Sequence, residues 1–141
     1  MRKFFKRSKP EPQVQNAVLQ RDGTPVTILI VDDSPTETHI LKGILERAGY
    51  RVITAENGER GVSSAIESTP SLILMDVKMP KMNGIDATKE IKKLNPAITV
   101  IAQTAYAFST ERDEILAAGC SDYISKPVPK EKLLALIEKY L

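Results

Sequence analysis

Five polar residues stand at the ends of short strand-like runs in this sequence. Asp32 and Asp33 follow Val26–Val31 (VTILIV), Asp76 follows Ser71–Met75 (SLILM), Thr104 comes after Ile98–Ala102 and Gln103, and Lys126 follows Ser121–Ser125. Three carboxylates gathered in one place repel one another and raise each other's pKa. A hard divalent cation with oxygen ligands offsets that charge, and Mg²⁺ takes a few carboxylates, keeps waters and accepts phosphate oxygens. Lys126 brings a further positive charge and Thr104 a hydroxyl. An Asp nucleophile beside a metal, an ammonium and a hydroxyl has what phosphoryl transfer asks of a protein, which is positioning and charge neutralisation. Each piece alone is bland: an Asp pair after a strand is often a helix cap, and Lys126-Pro127 alone is a turn. The specific signal is that these five residues stand at the ends of four different strands.

Those ends coincide only if the strands are parallel, and the rest of the chain predicts that they are. Val26–Val31 is a near-continuous apolar run, as expected of a strand covered on both faces. Ser34, Pro35 and Glu37 read as N-cap, first helical residue and returning partner of a capping box. Ile40, Leu41, Ile44, Leu45 and Ala48 then form one helix face, and Gly49 ends it. Arg51–Ala55 is the second strand, and Asn57 caps a second helix weakened by Gly61. After the third strand comes a turn-rich loop, Lys78–Gly84, then a helix over Ile85–Leu94 that stops before Pro96. Thr110–Ala118 reads as a fourth helix, Ala-rich and poor in large apolar anchors, closed by Gly119. Lys130–Leu141 is the last, with Leu133, Leu134, Ile137, Tyr140 and Leu141 facing inward. Five βα units imply an open parallel sheet with helices on both faces. Such α/β sheets bind ligands beyond the carboxyl ends of their strands.

The totals suit one domain: 141 residues, 42% hydrophobic and 27% charged, is an ordinary soluble composition. No run approaches the 18 or so apolar residues that would span a bilayer. Cys120 is the only cysteine, so no internal disulfide forms and a reducing, cytoplasmic setting is expected. The net charge of +2 divides unevenly. Residues 1–25 hold six of the twenty Lys/Arg and two of the eighteen acids, giving +4, and residues 26–141 carry −2. The body therefore lacks the basic stripe of a nucleic-acid binder. Residues 1–25, with Pro10, Pro12, Gly23 and Pro25 and no sustained apolar period, read as a flexible basic tail with at most a short helix around Val14–Leu19. The domain is expected over 26–141. Met1–Arg7 (MRKFFKR) lacks the apolar stretch of a signal peptide. It reads as an inert solvated tail or a docking arm, with contact to an anionic membrane the minority reading.

The runs ILIVDDSPTE, LILMDVKMPKMNG, IAQTAY and DYISKPV resemble the receiver domains of bacterial two-component signalling, over Thr27 to Leu141. The first half looks like single-domain motility-type regulators and the second like receivers fused to hybrid histidine kinases. The resemblance implies a flavodoxin-like, doubly wound α/β fold, with strand order 2-1-3-4-5 and five helices. It implies that Asp76 accepts a phosphoryl group from a histidine kinase or phosphotransfer histidine. Asp33 would bind Mg²⁺ directly, Asp32 would assist, and Lys78 would offer its backbone carbonyl. Thr104 and Lys126 would hold phosphoryl oxygens, and Ala105 would leave the acceptor accessible. Tyr123 would turn inward on phosphorylation, and the Lys126-Pro127 bond would be cis. With no DNA-binding or catalytic output domain after Leu141, the signal is expected to pass through protein contacts of the helix 4–strand 5–helix 5 face.

Other readings fit less well. A haloacid-dehalogenase-type phosphatase would carry D-x-D after the first strand, and Asp32-Asp33-Ser34 has the wrong spacing. A dinucleotide fold would need G-x-G-x-x-G there. A degenerate receiver, used only for docking, would not keep Asp33, Asp76, Thr104 and Lys126 together. His39 reads as a surface or partner-facing residue and Cys120 as a small packing residue. Tyr106 and Phe108 divide between core packing and partner contact.

Overall fold

The computed structural model describes residues 17–105 and 109–141. Strands and helices alternate as β1 (Thr27–Val31), α1 (Pro35–Arg47), β2 (Arg51–Ala55), α2 (Gly58–Ser68), β3 (Leu72–Asp76), α3 (Gly84–Leu94), β4 (Thr99–Thr104), α4 (Ser109–Ala117), β5 (Asp122–Ser125) and α5 (Lys130–Tyr140). The strands form one parallel sheet ordered β2-β1-β3-β4-β5, the doubly wound, flavodoxin-like order expected above.

The continuous apolar runs divide between two cores with a period of two. Leu29, Val31, Ile73, Met75, Val100 and Ala102 face a cluster closed by Ala65, Ala87, Ile91 and Ile115 of α2, α3 and α4. Ile28, Ile30, Leu72, Leu74, Ile101 and Ile124 face the other side, under Leu41 and Leu45 of α1 and Leu133 and Ile137 of α5. Burial on both faces is what lets β1 and β3 dispense with alternation.

Several local expectations change. The strand β4 continues through Gln103 and Thr104 rather than ending at Ala102, because the β3 ladder holds Gln103 and the β5 ladder holds both residues. Ile40 is 55% exposed, lying off the buried Leu41–Leu45 row, and Leu141, beyond α5, is 50% exposed. The capping box is half made. Ser34 Oγ accepts from Glu37 N–H at 3.2 Å, but the Ser34 N–H donates to Asp32 and the Glu37 carboxylate turns to Lys126. Gly61, read as a weakness of α2, lies where a Cβ would meet the Val31 methyls at 2.9 Å, so its bareness lets helix and sheet close up.

The tail boundary also shifts. Val18 N–H donates to Gly49 O, Val26 N–H donates to Val18 O, and Leu19 bridges Pro25 in antiparallel fashion. Val18 packs, half-buried, on the α1/α5 core. Residues 17–25, assigned above to the flexible tail, are therefore ordered against the domain. They are extended rather than helical over Ala17–Leu19, while Val14–Asn16 lie outside the described residues.

Candidate phosphoacceptor site

Parallel pairing brings the carboxyl ends of β1, β3, β4 and β5 to one edge, and the sequence-selected residues arrive there together. Asp32, Asp33 and Asp76 each offer an oxygen, all within 4.8 Å of one another. Asp32 and Asp76 are buried at 2% and 4% exposure, whereas Asp33 is exposed. One oxygen of Asp32 accepts the Ser34 N–H at 2.9 Å. Its other oxygen, Oδ2, is buried with no hydrogen-bond partner among the described residues. An orphaned carboxylate oxygen inside an all-oxygen acidic trio fits a hard cation such as Mg²⁺ and not a thiophilic metal.

Lys126 follows β5, after Ser125, and its ammonium bridges two elements. It donates to Asp76 Oδ1 at 2.9 Å and to Glu37 Oε1, in the first turn of α1, at 2.7 Å. The Lys126 N–H is anchored by Thr104 O at 2.8 Å, and the Lys126-Pro127 bond is cis. Thr104, 1% exposed, ends β4 and donates its hydroxyl to Glu111 on α4. Lys78 lies two residues beyond Asp76 in the loop before α3 and is exposed. Tyr123 is half-buried in β5, opposite Ala102 in the ladder and against the α2/α3 core.

Charges at the site are tightly interdependent. Burial, chiefly, pushes the Asp32 carboxyl up to about 7; Asp76 and Glu37 add to the rise and the Ser34 N–H opposes it. Burial also raises Asp76, against the pull of Lys126. Burial works against the Lys126 charge, but Glu37 and Asp76 outweigh it and raise its pKa. Lys126 in turn holds the Glu37 carboxyl below its ordinary value. The result is a buried carboxylate, one ammonium beside it and a pair of acids able to take a cation. That set suits attack on a phosphoryl group.

Sequence reasoning missed three residues. Glu37 was read only as a cap, although its place one turn beyond the acidic pair was a signal. Gln103, a polar residue inside an apolar strand, pairs in register with Asp76, is 1% exposed, and has a side-chain Nε2 without a hydrogen-bond partner among the described residues. Glu111 gave no signal, because only the fold returns α4 to Thr104. Of the residues set aside, His39 is exposed. Cys120 is buried, its thiol donating to Thr88 Oγ1 at 3.7 Å. Tyr106 and Phe108 lie outside the described residues.

Comparison with known proteins places this arrangement. The family model described as the response regulator receiver domain matches residues 28–138. Protein PilH of Pseudomonas aeruginosa is 43% identical over 116 residues, covering 81% of this chain and 96% of that protein. Among solved structures, the receiver domain of the sensor histidine kinase PA1611 from Pseudomonas aeruginosa PAO1, with magnesium coordinated in its active-site cleft, is 33% identical. That alignment has a TM-score of 0.76 and covers 81% of this chain and 95% of that one. The CheX-CheY-BeF3-Mg complex from Borrelia burgdorferi aligns with a TM-score of 0.81 at 28% identity, covering 87% and 96%.

Proposed function

Because this chain belongs to the response regulator receiver domain family, we propose that it is a phosphorylation switch in which Asp76 accepts a phosphoryl group from a histidine kinase or phosphotransfer histidine. The observation that carries this reading is the Lys126 ammonium 2.9 Å from a buried Asp76 oxygen, within a trio of carboxylates spanning no more than 4.8 Å. An Asp76 oxygen bonds to phosphorus as the P–N bond of the phosphohistidine breaks and its electron pair returns to the imidazole. Lys126 and Thr104 take up phosphoryl oxygens as charge moves onto them. Asp33, Asp32, Asp76 and the Lys78 carbonyl would hold Mg²⁺, which neutralises phosphoryl charge when bound. Burial of Asp76 limits competing water.

Downstream, the α4–β5–α5 face changes as Thr104 is drawn to the phosphoryl group and Tyr123 follows, and the signal leaves by protein contact. Catalysis is confined to the domain's own phosphorylation and dephosphorylation, in the cytoplasm. Among the described residues no helix is long and apolar enough to cross a membrane. The deciding experiment is incubation with acetyl phosphate or phosphoramidate and Mg²⁺, followed by intact-mass measurement. Wild type gains one phosphoryl group and Asp76→Asn gains none. A stoichiometric acid-stable, base-labile adduct in Asp76→Asn would refute the assignment.

A further inference from the structure

Lys126 and Thr104, the two groups assigned to the phosphoryl oxygens, each already hold a carboxylate of this chain. Lys126 donates to Glu37 at 2.7 Å, a shorter contact than the 2.9 Å to Asp76. Thr104 donates to Glu111. Neither acid belongs to the metal-binding trio, and the two sit on helices that pack on opposite faces of the sheet. They share one placement: each lies in the first turn of its helix. A carboxylate there is favoured by the helix N-terminus whatever else it touches. Glu37 is also 46% exposed in its side chain, so water can take over from Lys126 at small cost. Both acids are thus built to be given up.

We propose that Glu37 and Glu111 are positioning residues that stand in for phosphoryl oxygens, holding Lys126 and Thr104 until an incoming phosphoryl group displaces both carboxylates. The inference rests on the phosphoacceptor reading and adds to it the residues that set its affinity. The exchange is ionic and hydrogen-bonded, with no covalent change at either glutamate. Lys126 leaves one anion for a more highly charged one, and Thr104 turns from α4 towards Asp76. Two helices on opposite faces are released by one event, α1 at its N-terminus and α4 through its tether. The competition also sets a threshold, because a weakly held anion cannot displace either carboxylate.

The test uses beryllofluoride with saturating Mg²⁺ as the phosphoryl probe, read by calorimetry, on wild type, Glu37→Gln, Glu111→Gln and the double variant. Each single variant is expected to bind the probe about three- to tenfold tighter, the scale of one partly exposed ion pair or hydrogen bond. The double variant gains more than either. Mg²⁺ alone, titrated without the fluoride, is expected to bind Glu37→Gln more weakly, because a nearby negative charge is gone. A merely destabilising substitution would weaken both ligands, and a purely Coulombic effect would vanish in Glu37→Asp, which keeps the charge but not the reach to Lys126; tighter beryllofluoride binding in that variant too identifies the positioning role. Unchanged or weaker beryllofluoride binding in both Gln variants, with wild-type melting, overturns the inference. Tightening in only one variant removes the other residue from it. Should Glu111→Gln melt lower, the Glu37→Gln arm decides for Glu37 by itself. A wild type that binds no beryllofluoride overturns the phosphoacceptor reading and this inference together, whereas unaltered variants beside a responsive wild type overturn this inference alone.

Discussion

Gly84 sits directly against the main chain of Asp76. A Cβ added at Gly84 would collide with the Asp76 carbonyl oxygen and lie 2.9 Å from Val77 Cα, and the Gly84 N–H donates to Val77 O at 2.9 Å. The start of α3 is therefore folded tightly onto the residue that carries the acceptor carboxylate. Backbone cannot rotate aside as a side chain can. Gly84→Ala is expected to cost about 2–4 kcal/mol in chemical denaturation. It should also slow Asp76 phosphorylation in whatever fraction stays folded. Gly61→Ala meets only the Val31 side chain and should cost less, with partial rescue by Val31→Ala. Equal costs at the two glycines would contradict this account.

The buried acid Asp32 predicts an unusual pH dependence for the metal-free protein. Its folded-state pKa, about 7, lies above the ordinary 3.8. The folded state therefore holds a proton that the unfolded chain has already lost. The stabilising contribution is complete below about 3.8 and disappears as pH rises through 7. In EDTA, Asp32→Asn should be more stable than wild type by about 2–4 kcal/mol at pH 8, and the difference should vanish near pH 4. Added Mg²⁺ should stabilise wild type more at pH 8 than at pH 5, since binding to the native state alone raises stability. Melting curves for both proteins across that range, with and without Mg²⁺, check the sign.

Thr104 and α4 should behave as one unit. The helix has a single fully buried large anchor, Ile115, while Leu116 is 45% exposed, so its packing holds it weakly. The Thr104–Glu111 hydrogen bond is a direct tie from the site to that helix. Thr104→Ala should still accept phosphate, yet leave α4 amide exchange unchanged on phosphorylation, where wild type shows a shift. A full wild-type exchange response in the variant would break the link.

The ordered segment before β1 revises what can be removed. A chain starting at Ala17 keeps Val18 and its hydrogen bonds to Gly49 and Val26, and should melt with the full-length protein. A chain starting at Thr24 loses them. It should be less stable by about 1–2 kcal/mol, from one half-buried Val and two backbone hydrogen bonds, a loss of a few degrees in melting. Identical melting of both truncations would show that the segment contributes nothing.

The architecture was legible because parallel βα units leave few choices. Once β1 reads as doubly buried and helices separate the strands, every carboxyl end must share an edge, and Asp32, Asp33, Asp76, Thr104 and Lys126 follow. Partners that depend on tertiary approach were not legible. Glu37 obeys a local capping rule and then breaks it for a lysine far along the chain, because a charged partner outweighs a neutral N–H. Glu111 meets Thr104 only after a loop whose path no periodicity encodes. Gly61 reads as a helix-weakening residue and Gly84 as the last residue of a turn-rich loop until the surface each one touches is known. Ile40 fits the apolar period of α1, but its face looks past the sheet. The hairpin at Val18 needs Gly49 and Val26, already in place, as its hydrogen-bond partners.

That hairpin also governs geography. Val18 is fastened beside Gly49 and Val26, which precede β2 and β1, so the chain enters the domain at the amino edge of the sheet. The acceptor carboxylate lies at the opposite edge, beyond the full length of the strands. Anything attached directly at Ala17, whether an affinity handle, a fluorophore or a tethered second protein, is thus joined to the pole away from the chemistry. A phosphodonor can dock at one pole while the other is held, and immobilising at Ala17 a chain that starts there leaves the reactive face turned outward.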